Sequence, residues 1–312
     1  MSASVESLKI RSDLLCAVRL FFLEREFVEV ETPLLFEEVI PELYIEPVRV
    51  DHDGLPQWLQ ASPELHMKRL LVQGLEANFQ VTRSFRGGER GPLHTPEFTI
   101  LEWYRVGDGM HAGINLLDDL LQAILMTKPA TRTSYAEAFK QHTGVDPHRA
   151  TCEELASKAA ELDIVVPAEM STADRDEWLN LMLALKVEPE LGRSNPEILY
   201  DYPESQAALA KIALRDDGNR VAERFELYCQ GVELANGYHE LTDSRELRQR
   251  LVRVNEARAA DGREPLPLPE SLFAAMQEGL PACAGCALGF DRLVMLACGA
   301  ESIDDVVSFP EK

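Results

Sequence analysis

The amino-acid sequence predicts an α+β protein in which a mostly antiparallel sheet is flanked by helices. Two features predict the sheet, namely a pair of alternating segments at residues 78–85 and 98–104 and a second pair at 225–229 and 232–241. The third feature is helical periodicity near the N-terminus and through the middle of the chain. Hairpin-like strand pairs set apart from helical stretches are typical of α+β domains.

The first elements are a helix and a short strand. From about Leu8 to Glu26, apolar residues recur on one helical face, and these are Ile10, Leu14, Val18 and Phe22. Phe27–Glu31 then alternates as a strand, and Pro33 ends it. In the first strand pair, a polar glycine-containing loop from Gly87 to Pro96 separates the two strands, which predicts a hairpin with a long loop.

The middle of the chain, about 111–190, is predicted to be helical. One apolar stripe consists of Leu116, Leu117, Leu120, Leu121 and Leu125, and a second contains Trp178, Leu181, Leu183 and Leu185. Since neither block holds a cluster of chemically reactive side chains, we interpret 111–190 as a helical insertion within one domain that spans residues 1–312.

The last third begins with the second strand pair, joined by Gln230-Gly231. A polar helix follows to about Asp261, and three prolines between 265 and 269 predict a stiff connector. Ala287–Phe290 is then predicted as a strand that leads into a helix from Asp291.

Charge and composition exclude some classes of protein. The chain has 31 basic and 53 acidic residues, a net charge of −22, which argues against an extensive nucleic-acid surface. Arg19 interrupts the most apolar run, Leu14–Leu23, and the N-terminus has no signal-peptide pattern, so we expect a cytoplasmic protein with no membrane partner. The six cysteines are expected to be reduced thiols. Cys283 and Cys286 have redox or zinc spacing, but packing within a strand is the favoured interpretation.

The first strand pair carries a polar face. Gln80, Thr82, Ser84 and Arg86 alternate onto one side, and Glu102 and Tyr104 share a side of the return strand. Such a face is costly unless it is solvated or binds a ligand. The guanidinium of Arg86 suits phosphate oxygens, although a surface ion pair is equally compatible with its position.

The second strand pair places Asn236, Tyr238 and Glu240 on one face. Glu226 and Glu233 flank the turn and could together bind Mg²⁺ with substrate phosphates. Glu233 has the wrong parity to share the face of Asn236, so the prediction requires a β-bulge between them or different roles. Solvent-facing carboxylates on an edge hairpin are the alternative.

The third segment is Ala284–Met295. Gly285 and Gly289 would let a flat ligand approach the backbone, and Arg292 opens a helix whose N-terminus favours anions. A glycine pair at this spacing is weak evidence alone.

Together these segments resemble class II lysyl-tRNA synthetases over nearly the whole chain. The first helix, strand and Pro33 are similar to motif 1, Phe85-Arg86 with its hairpin to motif 2, and Gly289–Arg292 to motif 3. Three further stretches match the lysine branch, and these are Ala61–Leu71, His94–Phe98 and Gly231–Leu241. The resemblance implies the class II catalytic fold and, through motif 1, a homodimer.

The resemblance also implies ATP as co-substrate, Mg²⁺ as cofactor, and lysine or (R)-β-lysine as the amino acid. Arg86 is expected on the α-phosphate and Arg292 on the γ-phosphate, as the catalytic residues. The implied amino-acid site consists of Ser62, Pro63, Glu64, Glu102, Tyr104, Asn236, Tyr238, Glu240 and Ala287. The implied ATP site consists of Arg86, Gly87, Gly88, Glu89, His94, Thr95, Glu233, Leu234, Gly289 and Arg292, with Glu226 and Glu233 on the metal.

The chain begins almost at motif 1 and stops soon after motif 3, so we expect no anticodon-binding domain and no tRNA substrate. Leu101–Arg105, Leu234–Gly237 and Cys286–Gly289 are most similar to a truncated branch of the family. That branch adenylates (R)-β-lysine and transfers it to a lysine side chain of elongation factor P. Activation of α-lysine for tRNA or another acceptor, and a non-catalytic protein that binds lysine or ATP, are the alternatives.

Two positions depart from the lysine branch. The motif 2 glutamate is displaced by one residue to Glu89, which puts its contact with adenine in doubt. Ala287 stands where the branch usually has glycine, and an extra methyl in a pocket wall shifts selectivity by roughly 1–3 kcal/mol. The larger residue is expected to favour the β-amino isomer.

Overall fold

The structure is a computed structural model that describes residues 3–310. Contacts divide the chain into two compact units. The first contains residues up to Gly109, Ala123–Leu125 and residues from Glu240 onward, and the second contains Met110–Gln122 and Met126–His239.

The first unit is built on a four-stranded sheet of β1 (Val28–Glu29), β5 (Ala77–Phe85), β6 (Glu97–Val106) and β12 (Cys283–Gly289), in that order. β1 pairs parallel with β5, and the other pairs are antiparallel. A three-stranded sheet has the order β2 (Leu35–Phe36), β4 (Leu55–Leu59), β3 (Arg49–His52). The helices are α1 (Val5–Leu23), α2 (Glu64–Val72), α7 (Ser244–Ala260), α8 (Glu270–Gly279) and α9 (Phe290–Cys298), followed by a short 3-10 turn at Ile303–Asp305.

Helix α1 covers the apolar face of this sheet. Ser4 caps its N-terminus by accepting a hydrogen bond from the Ser7 amide. The ring of Phe22, which has no exposed surface, stacks on Phe79 at 4.8 Å and lies 5.2 Å from Trp103. Because this face is filled by aromatic rings, the polar residues of β5 and β6 project to the other face.

The strand register aligns the polar residues in rows. Asn78 of β5 pairs with Tyr104 of β6, which pairs with Gly285 of β12. In the neighbouring row, Gln80 pairs with Glu102 and Glu102 with Ala287. Residues paired across strands share a face, so both rows lie on the same side of the sheet.

The second unit has strands in the order β7 (Thr131–Ser134), β8 (Glu197–Pro203), β10 (Arg220–Cys229), β11 (Val232–His239), with β9 (Ile212–Leu214) also paired to β10. Only the β7–β8 pair among these is parallel. Its helices are α3 (Met110–Leu125), α4 (Tyr135–Thr143), α5 (Cys152–Glu161) and α6 (Arg175–Met182). Of α3, the second unit contains Met110–Gln122. A π-helical turn at Leu183–Val187 and 3-10 turns at Glu188–Glu190 and Glu204–Gln206 complete it.

The predicted fold class is confirmed, since mostly antiparallel strands are flanked by helices. Element bounds shift by a few residues, and the strand expected at 27–31 is only Val28–Glu29. The stretch predicted as helical, 111–190, also contains β7, where Thr131 and Thr133 favour an extended backbone. The single domain and the helical insertion remain predictions.

Within residues 3–310, no helix combines the length and the apolarity needed to cross a bilayer.

Candidate active site

Three carboxylates are buried on the polar face of the first unit's sheet. Glu64 lies in the first turn of α2, Glu102 on β6, and Glu240 just after β11, with exposed fractions of 9%, 1% and 1%. The amide of Glu240 donates to the carbonyl of Cys283 at 3.0 Å, which fixes this glutamate beside β12. The structure therefore brings together the three carboxylates that the sequence assigned to the amino acid.

Neutral donors hold Glu102 in place. The Ser62 hydroxyl donates to its Oε2 and the Tyr104 hydroxyl to its Oε1, both at 2.7 Å. Ser62 also accepts a hydrogen bond from the Glu64 amide at 3.1 Å, so it ties the start of α2 to β6. Buried Pro63 is the residue that precedes α2. These contacts preorganise one end of the cluster.

Lys68 is the cation of the cluster, and its role was not predicted from the sequence. Its ammonium pairs with Glu64 one helical turn away and with Glu240 Oε2 at 2.5 Å, and it is 2% exposed. Burial alone would lower the pKa of Lys68, but the Glu240 and Glu64 carboxylates raise it above its ordinary value. Lys68 therefore stays charged at neutral pH.

The carboxylates have raised pKa values. Burial, together with the charge of Glu64, raises the pKa of Glu102 to about 7. Burial raises the pKa of Glu240 to about 8, although the neighbouring Lys68 ammonium acts in the opposite direction. Among residues 3–310, Glu240 Oε1 has no hydrogen-bond partner even though it is buried. The cluster therefore holds more negative charge than its own donors neutralise, and a cationic ligand would relieve it.

Gly285 is required for a different reason from the one predicted. A Cβ at this position would lie 2.1 Å from Cε1 of Tyr104 and 2.7 Å from Oε1 of Glu240. The space beside its backbone is filled by a tyrosine ring and a carboxylate, so a flat ligand cannot approach there. Ala287, two residues along, pairs with Glu102 and is half-buried on the same face.

Arg86 lies at the end of β5, where the motif 2 loop begins. Its amide donates to the Pro96 carbonyl at 2.8 Å, and its guanidinium lies 5.0 Å from the centre of the Phe98 ring and 3.9 Å from Glu89 Oε1. Its Nε is buried and has no hydrogen-bond partner among the described residues. An arginine with an unused donor suits an anionic ligand.

The glycines after Arg86 shape the loop. The Gly87 amide donates to the Glu46 carbonyl at 2.6 Å, and a Cβ on Gly87 would lie 3.2 Å from that oxygen. Gly88 has φ +77°, which side-chain-bearing residues rarely adopt. Both glycines are thus needed for the path of the backbone, while their contact with ATP remains a prediction.

Arg292 lies in the first turn of α9, directly after Gly289. Its guanidinium contacts His94 Nε2 at 2.8 Å and donates to the Leu93 carbonyl at 3.2 Å. Burial and the charge of Arg292 lower the pKa of His94, so this imidazole is neutral at pH 7. The structure therefore brings Arg292 and His94 together, and half-buried Thr95 is the next residue in the chain.

Motif 3 also has an anchor, Asp291, that was not predicted from the sequence. Asp291 pairs with Arg11 of α1 at 2.6 Å and accepts a hydrogen bond from the Thr99 amide at 2.7 Å. These bonds fix the start of α9 against β6, and Arg292 follows directly. The signal in the sequence was an aspartate in the first turn of a predicted helix, but its partners are distant in the chain.

In the second unit, a β-bulge in the pairing of β10 with β11 determines on which face of the sheet Glu233 lies. Glu226 pairs with Asn236 and Leu227 with Ala235, but Tyr228 pairs with Glu233. The extra residue, Leu234, is 2% exposed. Glu233 consequently shares a face with Glu226 and Asn236, as the sequence analysis required. On the same strand, Asn236 donates to the Tyr238 hydroxyl at 3.2 Å.

Glu226 already has three partners. It accepts hydrogen bonds from the hydroxyls of Tyr202 and Tyr228 at 2.5 and 2.6 Å and pairs with Arg224. Mg²⁺ is commonly held by one or two carboxylates together with substrate phosphates, so a same-face pair with Glu233 fits the ion's donor chemistry. Among residues 3–310, no group of three or more potential metal ligands is present. The ion would therefore rely on this pair and its substrate.

Cys283 and Cys286 are both buried in β12. Three positions apart in a strand, their side chains point to opposite faces, so they cannot bind one metal ion together.

The sequence profile described as tRNA synthetases class II (D, K and N) matches residues 2–312, and the chain belongs to this family. The family implies the use of ATP. Proteins named elongation factor P–(R)-β-lysine ligase from Salmonella dublin, Salmonella paratyphi B and Salmonella heidelberg are each 45% identical to this chain. Each alignment covers 99% of this chain and 96% of the relative.

Proposed function

We propose that this chain is an ATP-dependent ligase that adenylates (R)-β-lysine and transfers the β-lysyl group to a lysine side chain of elongation factor P. The observation that carries the proposal is the buried cluster of Glu64, Glu102 and Glu240, within a chain 45% identical over 99% of its length to ligases of that name. A diamino acid needs several anions, and this cluster supplies them.

The first half-reaction needs no protein nucleophile. The substrate carboxylate is ionised at neutral pH, and one of its oxygens attacks the α-phosphorus of ATP while the bond to pyrophosphate breaks. The residues contribute positioning and charge stabilisation. Arg86, with its unused Nε donor, would stabilise charge on the α-phosphate, and Arg292 would hold the γ-phosphate.

In the second half-reaction, a lysine amine of the acceptor attacks the carbonyl carbon of the mixed anhydride. An amide forms, AMP leaves with the electron pair of the broken C–O bond, and one proton is released. No residue of the first unit is needed as a nucleophile here either.

Glu226 and Glu233 would hold Mg²⁺, which neutralises phosphate charge when it is bound. A cation at Glu226 would share or replace the contact with Arg224. Titration with Mn²⁺, monitored by paramagnetic broadening, should therefore detect binding of one ion. This binding should require ATP and should be weaker in Glu233→Gln.

A homodimer is also proposed. Leu20 and Leu23 of α1 and Val28 of β1 are 60%, 53% and 46% exposed, so motif 1 presents apolar side chains that a second copy would cover. Sedimentation should give twice 34.9 kDa. Leu20→Asp should shift the protein to monomer, and a wild-type monomer at micromolar concentration would contradict the proposal.

The amino acid is tested by ATP–pyrophosphate exchange with (R)-β-lysine, α-lysine and related isomers. We expect the highest kcat/KM for (R)-β-lysine. Exchange with none of them would favour the non-catalytic alternative, and preference for α-lysine would favour the lysyl-tRNA synthetase alternative.

The acceptor is tested separately. Radiolabelled β-lysine and ATP are offered to purified elongation factor P and, in parallel, to total tRNA. We expect acid-precipitable label on the protein, and none on an elongation factor P whose surface lysines have been methylated. Label on tRNA alone would refute the proposed acceptor.

The nucleotide residues are tested by substitution in motif 2. Arg86→Ala should abolish exchange because it removes charge stabilisation in the transition state. Arg83→Ala is the matched control, since Arg83 is exposed on β5, three residues before Arg86. Glu89→Ala should raise the KM for ATP and leave that for the amino acid unchanged, and equal activity of Arg86→Ala and Arg83→Ala would overturn the assignment.

A further inference from the structure

Lys68 is an unusual residue because a fully buried ammonium lies among three buried carboxylates. It is 2% exposed, pairs with Glu64 and Glu240, and lies 5.7 Å from the centre of the Tyr104 ring. Nothing in the proposed chemistry uses this cation. A lysine buried in a site meant for an ammonium substrate calls for a physical explanation, because burying it is costly and it competes for the same carboxylates.

The charges around Lys68 can be counted. Glu64, Glu102 and Glu240 contribute three negative charges when ionised, and Lys68 contributes one positive charge, which leaves a net of two negative charges. The other titratable groups facing the cluster are Tyr104 and Cys283, whose pKa values burial raises, so both are neutral.

Arg105 projects from the opposite face of β6, over the Phe27 ring, and forms an ion pair with Asp108 at 2.7 Å, so these two charges cancel each other. The two uncompensated charges can be located. Lys68 contacts one oxygen of Glu240, while the other, Oε1, has no hydrogen-bond partner among the described residues. Among the described residues, Glu102 receives hydrogen bonds only from the neutral hydroxyls of Ser62 and Tyr104. One free carboxylate oxygen and one carboxylate without a cation match a substrate that carries two ammonium groups.

We propose that Lys68 is a positioning residue that acts as an internal counter-cation: it limits the fully ionised cluster to two net negative charges and thereby selects a diammonium amino acid. The inference rests on the proposed function, since it concerns the amino-acid site of that ligase. With Lys68 in place, binding two ammonium groups brings the buried charge to zero. A monoammonium analogue leaves one carboxylate uncompensated, which the buried site disfavours.

Without Lys68, three carboxylates would repel one another and two ammonium groups could neutralise only two of them. The carboxylates would then hold protons to higher pH. In Lys68→Met, the acidic limb of the pH profile of kcat/KM for (R)-β-lysine should therefore shift to higher pH by about one pH unit or more. A shift of one pH unit lowers kcat/KM at pH 7 about tenfold. The KM for ATP should not change.

The matched control is Arg69→Met. Arg69 is the next residue of α2, but its guanidinium contacts His66 at 3.2 Å and not the carboxylates. Removing this cation should leave the acidic limb in place. A purely structural role of Lys68 would lower activity at every pH by one factor, so the position of the limb distinguishes the two explanations. A limb in Lys68→Met that overlays the wild-type limb would overturn the inference.

A second measurement uses the unaltered protein, in case Lys68→Met does not fold. Calorimetric titration of (R)-β-lysine, with a non-hydrolysable ATP analogue present, is repeated in two buffers of different ionisation enthalpy. Because the carboxylates of the unliganded cluster are partly protonated at pH 7, binding two ammonium groups should release about one proton. Zero release, or proton uptake, at pH 7 would overturn the inference.

These outcomes separate the inference from the proposed function. If the wild-type protein exchanges pyrophosphate with no diamino acid, the proposed function fails. If wild-type exchange is normal but the limb does not move or protons are not released, only the role of Lys68 fails.

Discussion

Replacing Gly285 by alanine should damage the carboxylate cluster specifically. The new Cβ would lie 2.1 and 2.4 Å from two carbons of the Tyr104 ring and 2.7 Å from Glu240 Oε1. The ring is 3% exposed and cannot move into solvent, so overpacking of this kind costs roughly 1–3 kcal/mol. Moving the ring also breaks the hydrogen bond from Tyr104 to Glu102 at 2.7 Å. If this cost falls on the substrate complex, kcat/KM for (R)-β-lysine drops roughly 5- to 150-fold.

The assay is ATP–pyrophosphate exchange with each substrate varied in turn. We expect a higher KM for the amino acid, with the KM for ATP within about twofold of wild type, because Gly285 pairs with Tyr104 at the end of β6 that is distant from Arg86. Gly109→Ala is the matched control, since a Cβ at Gly109 would meet no atom within 4 Å. Folded Gly285→Ala protein with an unchanged KM for (R)-β-lysine would refute the packing argument.

Three further predictions follow from single contacts. Ala287→Gly should improve the use of α-lysine relative to (R)-β-lysine in the same exchange assay, and an unchanged ratio would count against the methyl as a determinant. Arg258 has no exposed surface and donates to the carbonyls of residues 42 and 45. Arg258→Met should therefore lower the free energy of unfolding, measured in urea, by on the order of 3 kcal/mol. Arg253→Met, at an exposed position of the same helix, should change the free energy of unfolding by less than about 0.5 kcal/mol. The pKa values of Glu102 and Glu240 are raised to about 7 and about 8, so the folded state binds protons more tightly than the unfolded chain. The stability that these two groups contribute is therefore lost as pH rises from about 5 through 8. Midpoints of urea unfolding that instead increase over this pH range would contradict the assignment.

The sheet could be predicted largely from the sequence because alternation is a local property. β5 and β6 appear within two residues of their predicted bounds, with Glu102 and Tyr104 on one face. The parity of Glu233 and Asn236 predicted either a bulge between them or different roles for the two residues, and the structure contains the bulge. Parity alone could not identify Leu234 as the extra residue, since that depends on which side chain packs best into the interior.

The two buried cations could not be predicted in the same way. Glu64 and Lys68 are four residues apart on a helix, a spacing typical of a surface ion pair worth a few tenths of a kcal/mol. Arg258 is one of several arginines on a polar helix. What buries each of them is a partner far away in the chain, Glu240 for Lys68 and the loop around Glu46 for Arg258. Helical periodicity carries no information about such partners.

Gly285 is another residue whose contact partner could not be predicted from the sequence. A glycine in a strand indicates a close approach, but the predicted partner, a flat ligand, was wrong, because the sequence could not say what approaches. The strand register answers this, because it places Tyr104 directly opposite Gly285. The same glycine is thus required by its packing against Tyr104 and Glu240.

The carboxylate cluster and Ala287 beside it contribute to substrate selection in different ways. α-Lysine and (R)-β-lysine carry the same charges, two ammonium groups and one carboxylate, so counting charges cannot distinguish them. Glu64, Glu102, Glu240 and Lys68 can therefore select diamino acids as a class, but the choice between isomers must come from shape. Ala287 is placed to supply it, because it pairs with Glu102 and its methyl group projects from the same face. One methyl group discriminates by roughly 1–3 kcal/mol, or about 10- to 200-fold, which sets the upper limit on the selectivity that Ala287→Gly can remove.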